Sequence, residues 1–408
     1  FRKILLLFMI LAFGLVVEGI RVTRSVLDDG TLDGLSLLDG DFPFSRLARF
    51  RGPSHEFKEQ KTTESAGVTA IEVSNAFGDV TVRRTLDAKA TAITVNLTKE
   101  VFTRRDENAS EIGSRVVLNL DRSGSVVKIS APRSGRTERV RTHIEIETPL
   151  PLDTRVVNRH GKITVEGARA LDASGEFDDV TASDISGDCL AKNRHGNVEV
   201  VSAALGCRVD VDFGDAHIER LGGPSTAEVA HGSLNAIDLA GLTARLRFSD
   251  LMARKIAGDL QFEGEHSDVR IEEVKGNVTL KNQGDIDIQN VQGRVSVENE
   301  RGHVRVMKVQ DGATIRNTFD TVAASDVSGV LEVINRHGEI RAQRFSKGAR
   351  LETDSEDVEV SDFEGPLTVV AKRGDVAVKP VRRSLSPMDV QVDVGDILEV
   401  TFHRYPEK

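Results

Sequence analysis

Residues 158–168 read NRHGKITVEGA, and looser versions of this stretch recur along most of the chain. The tetrapeptide NRHG itself occurs three times, at residues 158–161, 193–196 and 335–338. Gly161 and Gly374 hold equivalent places 213 residues apart, and 12 steps of the pattern separate them, so the mean period is 17.75 residues. Internal periods near 20 residues are typical of solenoids.

Three columns of apolar residues accompany this period. The positions two, four and seven residues after the turn are apolar in all 13 repeats, which makes 39 positions in a chain that is only 39% hydrophobic. Ile163, Val165 and Ala168 open these columns, and Val381 ends the third. The residue between the first two columns is mostly polar, and such alternation indicates a strand with one buried face.

The repeat predicts an all-β fold, a single-stranded parallel β-solenoid of about 13 coils of 17–18 residues, with a right-handed sense. A unit of this length is too short for a hairpin with its own core or for a propeller blade. At about 4.8 Å per coil, 12 steps give a rod about 58 Å long.

The asparagine and histidine of NRHG also belong to columns. Asparagine recurs three places before the turn at Asn158, Asn193, Asn299, Asn317 and Asn335, with Asn282 one place off. This predicts a ladder whose amides bond to the backbone of the next coil. The position before the turn alternates between two ring types: His160, Phe177, His195, Phe213, His231, Phe248, His266.

Successive histidines of this column would lie two coils apart, about 9.6 Å by strand spacing. A shared zinc ion needs bonds of about 2 Å from each ligand, so a stacked aromatic corner is the better interpretation. Arg159, Arg194 and Arg336 have the opposite parity and should point to solvent. NRHG is therefore predicted to be a corner of the coil and not a catalytic site.

Cys189 and Cys207 occupy the same inward column in successive coils. The sequence favours two small buried thiols, although the expected Cα separation would also permit a disulfide.

The first residues predict a retained membrane anchor over residues 1–22. Arg2 and Lys3 precede an unbroken apolar run from Ile4 to Val17, and basic residues before such a run favour a cytoplasmic N-terminus. A cleaved signal peptide is the alternative. The remaining chain should then lie outside the cytoplasmic membrane as the periplasmic part of a single-pass protein.

Five segments are predicted: the anchor (1–22), an irregular stalk (23–60), an N-terminal β region or cap (61–157), the solenoid repeats (158–385) and a C-terminal cap (386–408). Residues 87–157 break the period with longer alternating strands, and we expect this β insertion to cover the N-terminal edge of the solenoid.

Composition and motifs argue against several classes of function. The net charge is −10, which disfavours nucleic-acid binding, and the sequence contains no phosphate loop, hydrolase elbow, HExxH zinc motif or EF-hand. The acidic pairs Asp210 with Asp212 and Asp285 with Asp287 could bind calcium, but solvated strand faces are the better interpretation. No catalytic, cofactor-binding or metal-binding residue is predicted, and no small-molecule substrate is evident.

The segments IEVSNAFGDVTV (71–82) and THIEIETPLPLDTRVVNRHGKITVEG (142–167) resemble the bacterial "putative adhesin" family of β-solenoid domains. The resemblance covers roughly residues 66–380 and implies the fold, with no catalytic residues to carry over. It is consistent with a non-catalytic, adhesin-like protein anchored in the membrane through residues 1–22 and binding protein partners. The alternatives are an accessory subunit of a larger membrane complex, for example photosynthetic or respiratory, and a polysaccharide-active enzyme.

Overall fold

The structure, a computed structural model, describes residues 53–87, 89–103, 106–132, 139–379, 387–395 and 397–400. The N-terminal part of the described chain contains one helix, α1 (Asp106–Ser114), and the strands β1 (Ser54–Glu64), β2 (Ala70–Phe77), β3 (Val80–Arg84), β4 (Ala92–Phe102), β5 (Asn119–Ser123), β6 (Val126–Ser130) and β7 (Val140–Thr148).

The solenoid strands follow, two to most coils: β8 (Asp153–His160), β9 (Ile163–Glu166), β10 (Ala170–Phe177), β11 (Val180–Ile185), β12 (Cys189–His195), β13 (Val198–Ala203), β14 (Cys207–Asp212), β15 (Ala216–Ala230), β16 (Ser233–Arg247), β17 (Asp250–Ile256), β18 (Leu260–Glu265), β19 (Val269–Val274) and β20 (Val278–Asn282). The rest are β21 (Ile286–Val291), β22 (Val295–Asn299), β23 (Val304–Val309), β24 (Ala313–Phe319), β25 (Val322–Val327), β26 (Leu331–His337), β27 (Ile340–Phe345), β28 (Ala349–Ser355), β29 (Val358–Ser361), β30 (Leu367–Arg373), β31 (Val376–Lys379), β32 (Met388–Val394) and β33 (Ile397–Val400).

Each coil pairs in parallel with the next, so the predicted parallel β-solenoid of about 13 coils is confirmed. In the middle of the rod Ile271 pairs with Ile288, and Ile288 pairs with Val306. The three predicted apolar columns are buried, with no member more than 4% exposed, apart from Val381, which lies outside the described residues. Stacking of these columns forms one continuous core along the rod, because each coil buries its apolar residues only against its two neighbours.

The N-terminal end of the rod is closed by strands that leave the solenoid period. β1 pairs antiparallel with β4, β4 pairs antiparallel with β7, and β7 pairs in parallel with β3 of the first coil. Ile93, Leu97 and Val101 of β4 are at most 1% exposed. On the outermost strand, Glu59 turns inward and pairs with the buried Lys99 at 2.8 Å. An inward-pointing charge on an edge strand discourages further strand pairing.

Three expectations about the ends need correction. The irregular stalk does not reach residue 60, because β1 begins at Ser54. The insertion is not entirely β-structure, because α1 lies between β4 and β5. The described residues after 386 form another coil and not a separate cap, since β32 and β33 pair in parallel with β30 and β31.

The predicted anchor at residues 1–22 lies outside the described residues, as does the predicted stalk up to residue 52. Within the described chain, no helix is both long and apolar enough to cross a bilayer.

A disulfide joins Cys189 and Cys207, whose Cα atoms lie 4.6 Å apart. The interpretation favoured by the sequence, two buried free thiols, is therefore wrong. The parallel register places these residues directly opposite each other on β12 and β14. Stacked inward residues of adjacent coils meet the separation that a disulfide requires.

Candidate functional site

The NRHG corner is held by the buried asparagine of each copy. Asn193 Nδ2 donates to the carbonyl oxygen of Asp178 in the previous coil at 2.6 Å, and Asn335 Nδ2 donates to that of Asp320 at 2.8 Å. Asn282, one place off in the sequence, pairs in register with Asn299. The predicted asparagine ladder is confirmed, but its amides donate to turn carbonyls of the previous coil and not of the next one.

A second ladder, which was not predicted from the sequence, is formed by the residue that follows each turn. A carboxylate in this column accepts the backbone N–H of the equivalent residue one coil later. Asp285 Oδ1 accepts from His303 at 2.8 Å, and Asp357 Oδ1 accepts from Asp375 at 2.8 Å. The same contact is made by Asp79, Asp179, Asp250 and Asp268. The recurrence of Asp or Asn one residue after the turn is the feature of the sequence that could have predicted this ladder.

The histidines and phenylalanines of the corner stack in one continuous series, here called the ring ladder. Its members are Phe77, His160, Phe177, His195, Phe213, His231, Phe248 and His266. Neighbouring ring centroids lie between 4.2 and 5.5 Å apart, with planes within 27° of parallel. The stacked aromatic corner is confirmed. It begins at Phe77, one ring before His160, where the predicted alternation started.

The ring ladder lies on the outside of the rod, where Phe213 is 51% exposed and Phe248 is 54% exposed. Each inner ring is stacked between two neighbours, and the gaps of at most 5.5 Å between centroids are too narrow to admit another ring. Sugars and nucleic-acid bases bind aromatic side chains by stacking on ring faces. The ladder is therefore suited to holding coils in register and not to serving as a stacking platform.

Backbone strain is also periodic along the rod. Phe213, His231, Phe248 and His266 have φ between 52° and 60°, a conformation that is unusual for bulky residues. Strain often marks functional sites. Here, however, a second column at a different corner repeats the left-handed conformation in eleven coils, at Asp184, Ser202, Arg220, Asp238, Lys255, Glu273, Asn290, Lys308, Asp326, Arg344 and Asp362. The strain belongs to the turns of the coil.

Charged side chains on the outer faces form columns of mostly alternating sign. On one face the column runs Lys192, Asp210, Glu228, Arg245, Glu263, Lys281, Glu298, Arg316. Arg245 Nε lies 3.1 Å from Glu263 Oε2 of the adjacent coil. Such exposed pairs each contribute at most about 1 kcal/mol, but they penalise a slipped register.

Three of the four acidic residues that could bind calcium have protein partners. Asp287 accepts from Gln289 at 3.0 Å, and Asp285 caps the next coil as described above. Asp210 faces Lys192 at 3.9 Å. Across the described ranges, no group of three or more His, Cys, Asp or Glu is arranged to hold a metal ion.

One polar cluster lies where the cap meets the first coil. His143 of β7 has its Nδ1 atom 3.2 Å from Asp79 Oδ2 and its Nε2 atom 3.8 Å from Glu100. The hydrogen bond to Asp79 raises the pKa of His143, against the opposing effect of burial, and the same bond lowers the pKa of Asp79. When Nδ1 is deprotonated it can accept the backbone N–H of Asp79, also at 3.2 Å.

Comparison with known protein families identifies the region that contains these repeats. The sequence profile described as Toastrack DUF4097 matches residues 68–328, which is more than half of the chain. The chain belongs to the Toastrack DUF4097 family. No curated protein shows significant similarity to this Toastrack chain.

The solved structures that match the Toastrack chain do so at low sequence identity and low TM-score. A "putative cell adhesion protein" from Clostridium sporogenes is 12% identical, and the match covers 55% of this chain and 100% of that one, with a TM-score of 0.21. A "putative adhesin" from Bacteroides fragilis is 12% identical over 80% of this chain and 97% of that one, with a TM-score of 0.20. A third, from Parabacteroides distasonis, is 11% identical over 85% and 98%, with a TM-score of 0.18. Such TM-scores describe poor superpositions, so the family assignment rests on the profile match.

Removing a ring from the ladder should cost stability alone. We expect His160→Ala and His195→Ala in the Toastrack chain to lower the free energy of unfolding by about 1–2 kcal/mol, because each loses two stacked neighbours. His337→Ala should cost less, since the stack described for it is with Phe319. His303→Ala is the control, because that exposed side chain lies outside the ladder, and it should change stability by less than about 0.5 kcal/mol. A stoichiometric metal lost on mutation would overturn this interpretation.

The cap cluster of the Toastrack chain should make stability depend on pH. Because the pKa of His143 is raised in the folded state, its stabilising contribution is complete below the unfolded pKa and is lost as pH rises through the folded pKa. We expect His143→Gln to cost about 1 kcal/mol at pH 5.5 and less at pH 8, measured by urea unfolding. Equal costs at both pH values would show that the imidazolium does not contribute.

Proposed function

We propose that the chain is a non-catalytic, adhesin-like binding rod held outside the cytoplasmic membrane. The observation that carries this proposal is the arrangement of the outward polar groups, which bond to each other along the rod and do not converge on one place. Within the described ranges they lie in columns along the coils, and corner carboxylates, amides and rings bond or stack with neighbouring coils. An active site instead gathers unlike groups into one cleft. What remains is a rigid surface, about 58 Å long at one strand spacing per coil, suited to extended contact with another macromolecule.

The proposed location rests on two features. A disulfide links neighbouring coils, and structural disulfides persist mainly in oxidising compartments. Arg2 and Lys3 precede the apolar run at residues 4–17, which supports an anchor whose N-terminus is cytoplasmic.

A right-handed sense is proposed for the solenoid, because connections between parallel strands of one sheet are right-handed in nearly all proteins.

Deletion of residues 1–22 should release the rod from membranes and leave it folded. The core of the rod comes from its own columns, and the described cap begins after residue 52. In spheroplasts, added protease should nick the full-length protein without lysis, as shown by immunoblotting for residues 60–408. Protection until lysis would place the rod in the cytoplasm, and the envelope function would then give way to a cytoskeletal, bactofilin-like one.

Binding of a partner can be tested by extraction of the full-length protein from native membranes in mild detergent. The proposal expects a discrete partner that crosslinks to the outer faces of the rod, with residues at the contact identified by mass spectrometry. Recovery of a fixed set of membrane subunits would instead identify an accessory subunit of a membrane complex. Turnover of a polysaccharide by the purified rod would overturn the non-catalytic assignment.

A further inference from the structure

One outer face of the rod carries three columns of outward side chains. It is formed by the even-numbered strands from β10 to β14 and from β18 to β30, with the second halves of β15 and β16 between them, and is here called the even face. Its middle column is the charged one described above. The column on one side is uncharged through six coils: Thr226, Thr243, Gln261, Thr279, Ser296, Thr314. The column on the other side is charged again.

The charges of the even face remain exposed, although several of them pair within the rod. The side chains of Arg245 and Glu263 are 65% and 66% exposed, and that of Lys372, which pairs with Asp354, is 56% exposed. Lys281 is exposed as well. Because an exposed ion pair is weak in water, its members can also face the charges of a second surface.

The order of charges in the middle column is complementary to itself when it is reversed. In two antiparallel rods that meet face to face, a two-fold axis lies between the faces and runs across the rods. Each column then meets the same column of the other copy in reverse order. An axis between the coils of Glu263 and Lys281 gives facing pairs of opposite sign: Glu263 with Lys281, Arg245 with Glu298, Glu228 with Arg316.

The charged column at the side of the even face obeys the same axis. Its facing pairs are Arg247 with Glu300, Asp212 with Arg336, Arg194 with Asp354. The uncharged column meets itself, so hydroxyl and amide groups can form hydrogen bonds across the centre of the pair. Between the coils of Glu176 and Lys372, no like-charged pair arises in any of the three columns.

Other alignments of the two rods place like charges opposite each other. A shift of the axis by one coil sets Asp210 opposite Glu298 in one direction and Glu228 opposite Glu352 in the other. A shift of half a coil sets the charged residue on the axis opposite its own copy, and parallel rods would do so along the whole middle column. Like charges that face each other are destabilising, and such clashes exclude wrong registers.

We propose that the even face is a self-complementary interface through which two copies of this chain pair as antiparallel rods. The 11 coil-to-coil steps from Glu176 to Lys372 span about 53 Å, and five residues of a strand span about 17 Å. Each copy therefore buries about 900 Å², and the total of about 1,800 Å² is within the range of specific protein–protein interfaces. This pairing goes beyond the proposed binding function and does not depend on where the rod is held.

Cross-linking tests the register directly. Lys192 and Glu352 face each other in the proposed pair, but within one rod they lie nine coil-to-coil steps apart, about 43 Å. Full-length protein in mild detergent at low ionic strength is treated with a carbodiimide, which joins an amine to a carboxylate only where they touch. We expect a cross-linked dimer in which mass spectrometry finds Lys192 joined to Glu352 and Lys372 joined to Glu176.

A charge reversal and its rescue test the complementarity. Glu300→Arg sets arginines opposite each other at two symmetric places, so the dissociation constant of the dimer, measured by analytical ultracentrifugation, should rise about tenfold or more. Adding Arg247→Glu restores opposite signs and should return most of the lost affinity. Glu199→Arg is the control, because it makes the same change of charge at an exposed position of β13, on the other strand face of the coil. It should leave the dissociation constant nearly unchanged.

Thermal unfolding checks that each variant is folded, and the cross-link map of the wild type carries the test alone if Glu300→Arg does not fold. A chain that stays monomeric at low ionic strength, cross-links confined to residues outside the even face, or equal responses to Glu300→Arg and Glu199→Arg would each overturn the proposal. The protease and extraction tests of the binding rod do not depend on this interface, so the two proposals can fail separately.

Discussion

Ile288→Asp should prevent the rod from folding to a soluble protein, or lower its free energy of unfolding by roughly 5 kcal/mol. Ile288 is fully buried and is stacked between Ile271 and Val306. The substitution removes a large apolar side chain and places a carboxylate where it has no partner. Each coil supports both of its neighbours, so the damage should spread along the rod. Soluble yield and urea unfolding measure the effect.

Asp287→Ala is the matched control, one residue away on the opposite face. It removes a side-chain hydrogen bond from Gln289 on the surface, and we expect a change of less than about 0.5 kcal/mol. Ile288→Val, which keeps the apolar character, should cost about 1 kcal/mol. Similar effects of Ile288→Asp and Asp287→Ala would mean that the assignment of inner and outer faces is wrong.

The double variant Cys189→Ala, Cys207→Ala should lose about 2–4 kcal/mol of stability. The bond joins residues 18 apart in the sequence, and a cross-link of this span restricts the unfolded chain by about that amount. Urea unfolding of the oxidised wild type and of the variant measures the difference.

Reduction provides the control for this prediction. The two half-cystines are only 6% and 2% exposed, so the wild type must be unfolded and refolded in reductant for complete reduction. Reduced wild type should approach the stability of the double variant, and the variant itself should not respond to reductant. A wild type that keeps its full stability after both thiols have been titrated would contradict the expected contribution of the bond.

The sequence was sufficient for most of the candidate site because that site is periodic. Ile163, Ile286 and their equivalents identify the inner face without any structure, since side chains alternate strictly along a strand. His160 and Phe177 could be predicted to stack once the period was known, since equivalent positions in adjacent coils are neighbours. The corner carboxylates were missed because their role depends on which backbone N–H lies within reach.

Phe77 shows where local periodicity stops being informative. Its place in the motif is visible in the sequence, but its stacking partner His160 lies 83 residues later, beyond the inserted cap. The insertion can be recognised as a break in the period, but the period does not specify with which earlier strand the chain pairs after the insertion.

The amino-acid sequence by itself determined the coil length, the inner and outer faces and the stacked columns, because these follow from a repeat in which every coil meets its neighbours in the same way. The tertiary structure alone decided the contact of His143 with Asp79, the disulfide between Cys189 and Cys207, and the closure of the N-terminal end by the cap strands. Each of these depends on interatomic distances or on which strand the inserted segment pairs with, and neither is specified by periodicity along the chain.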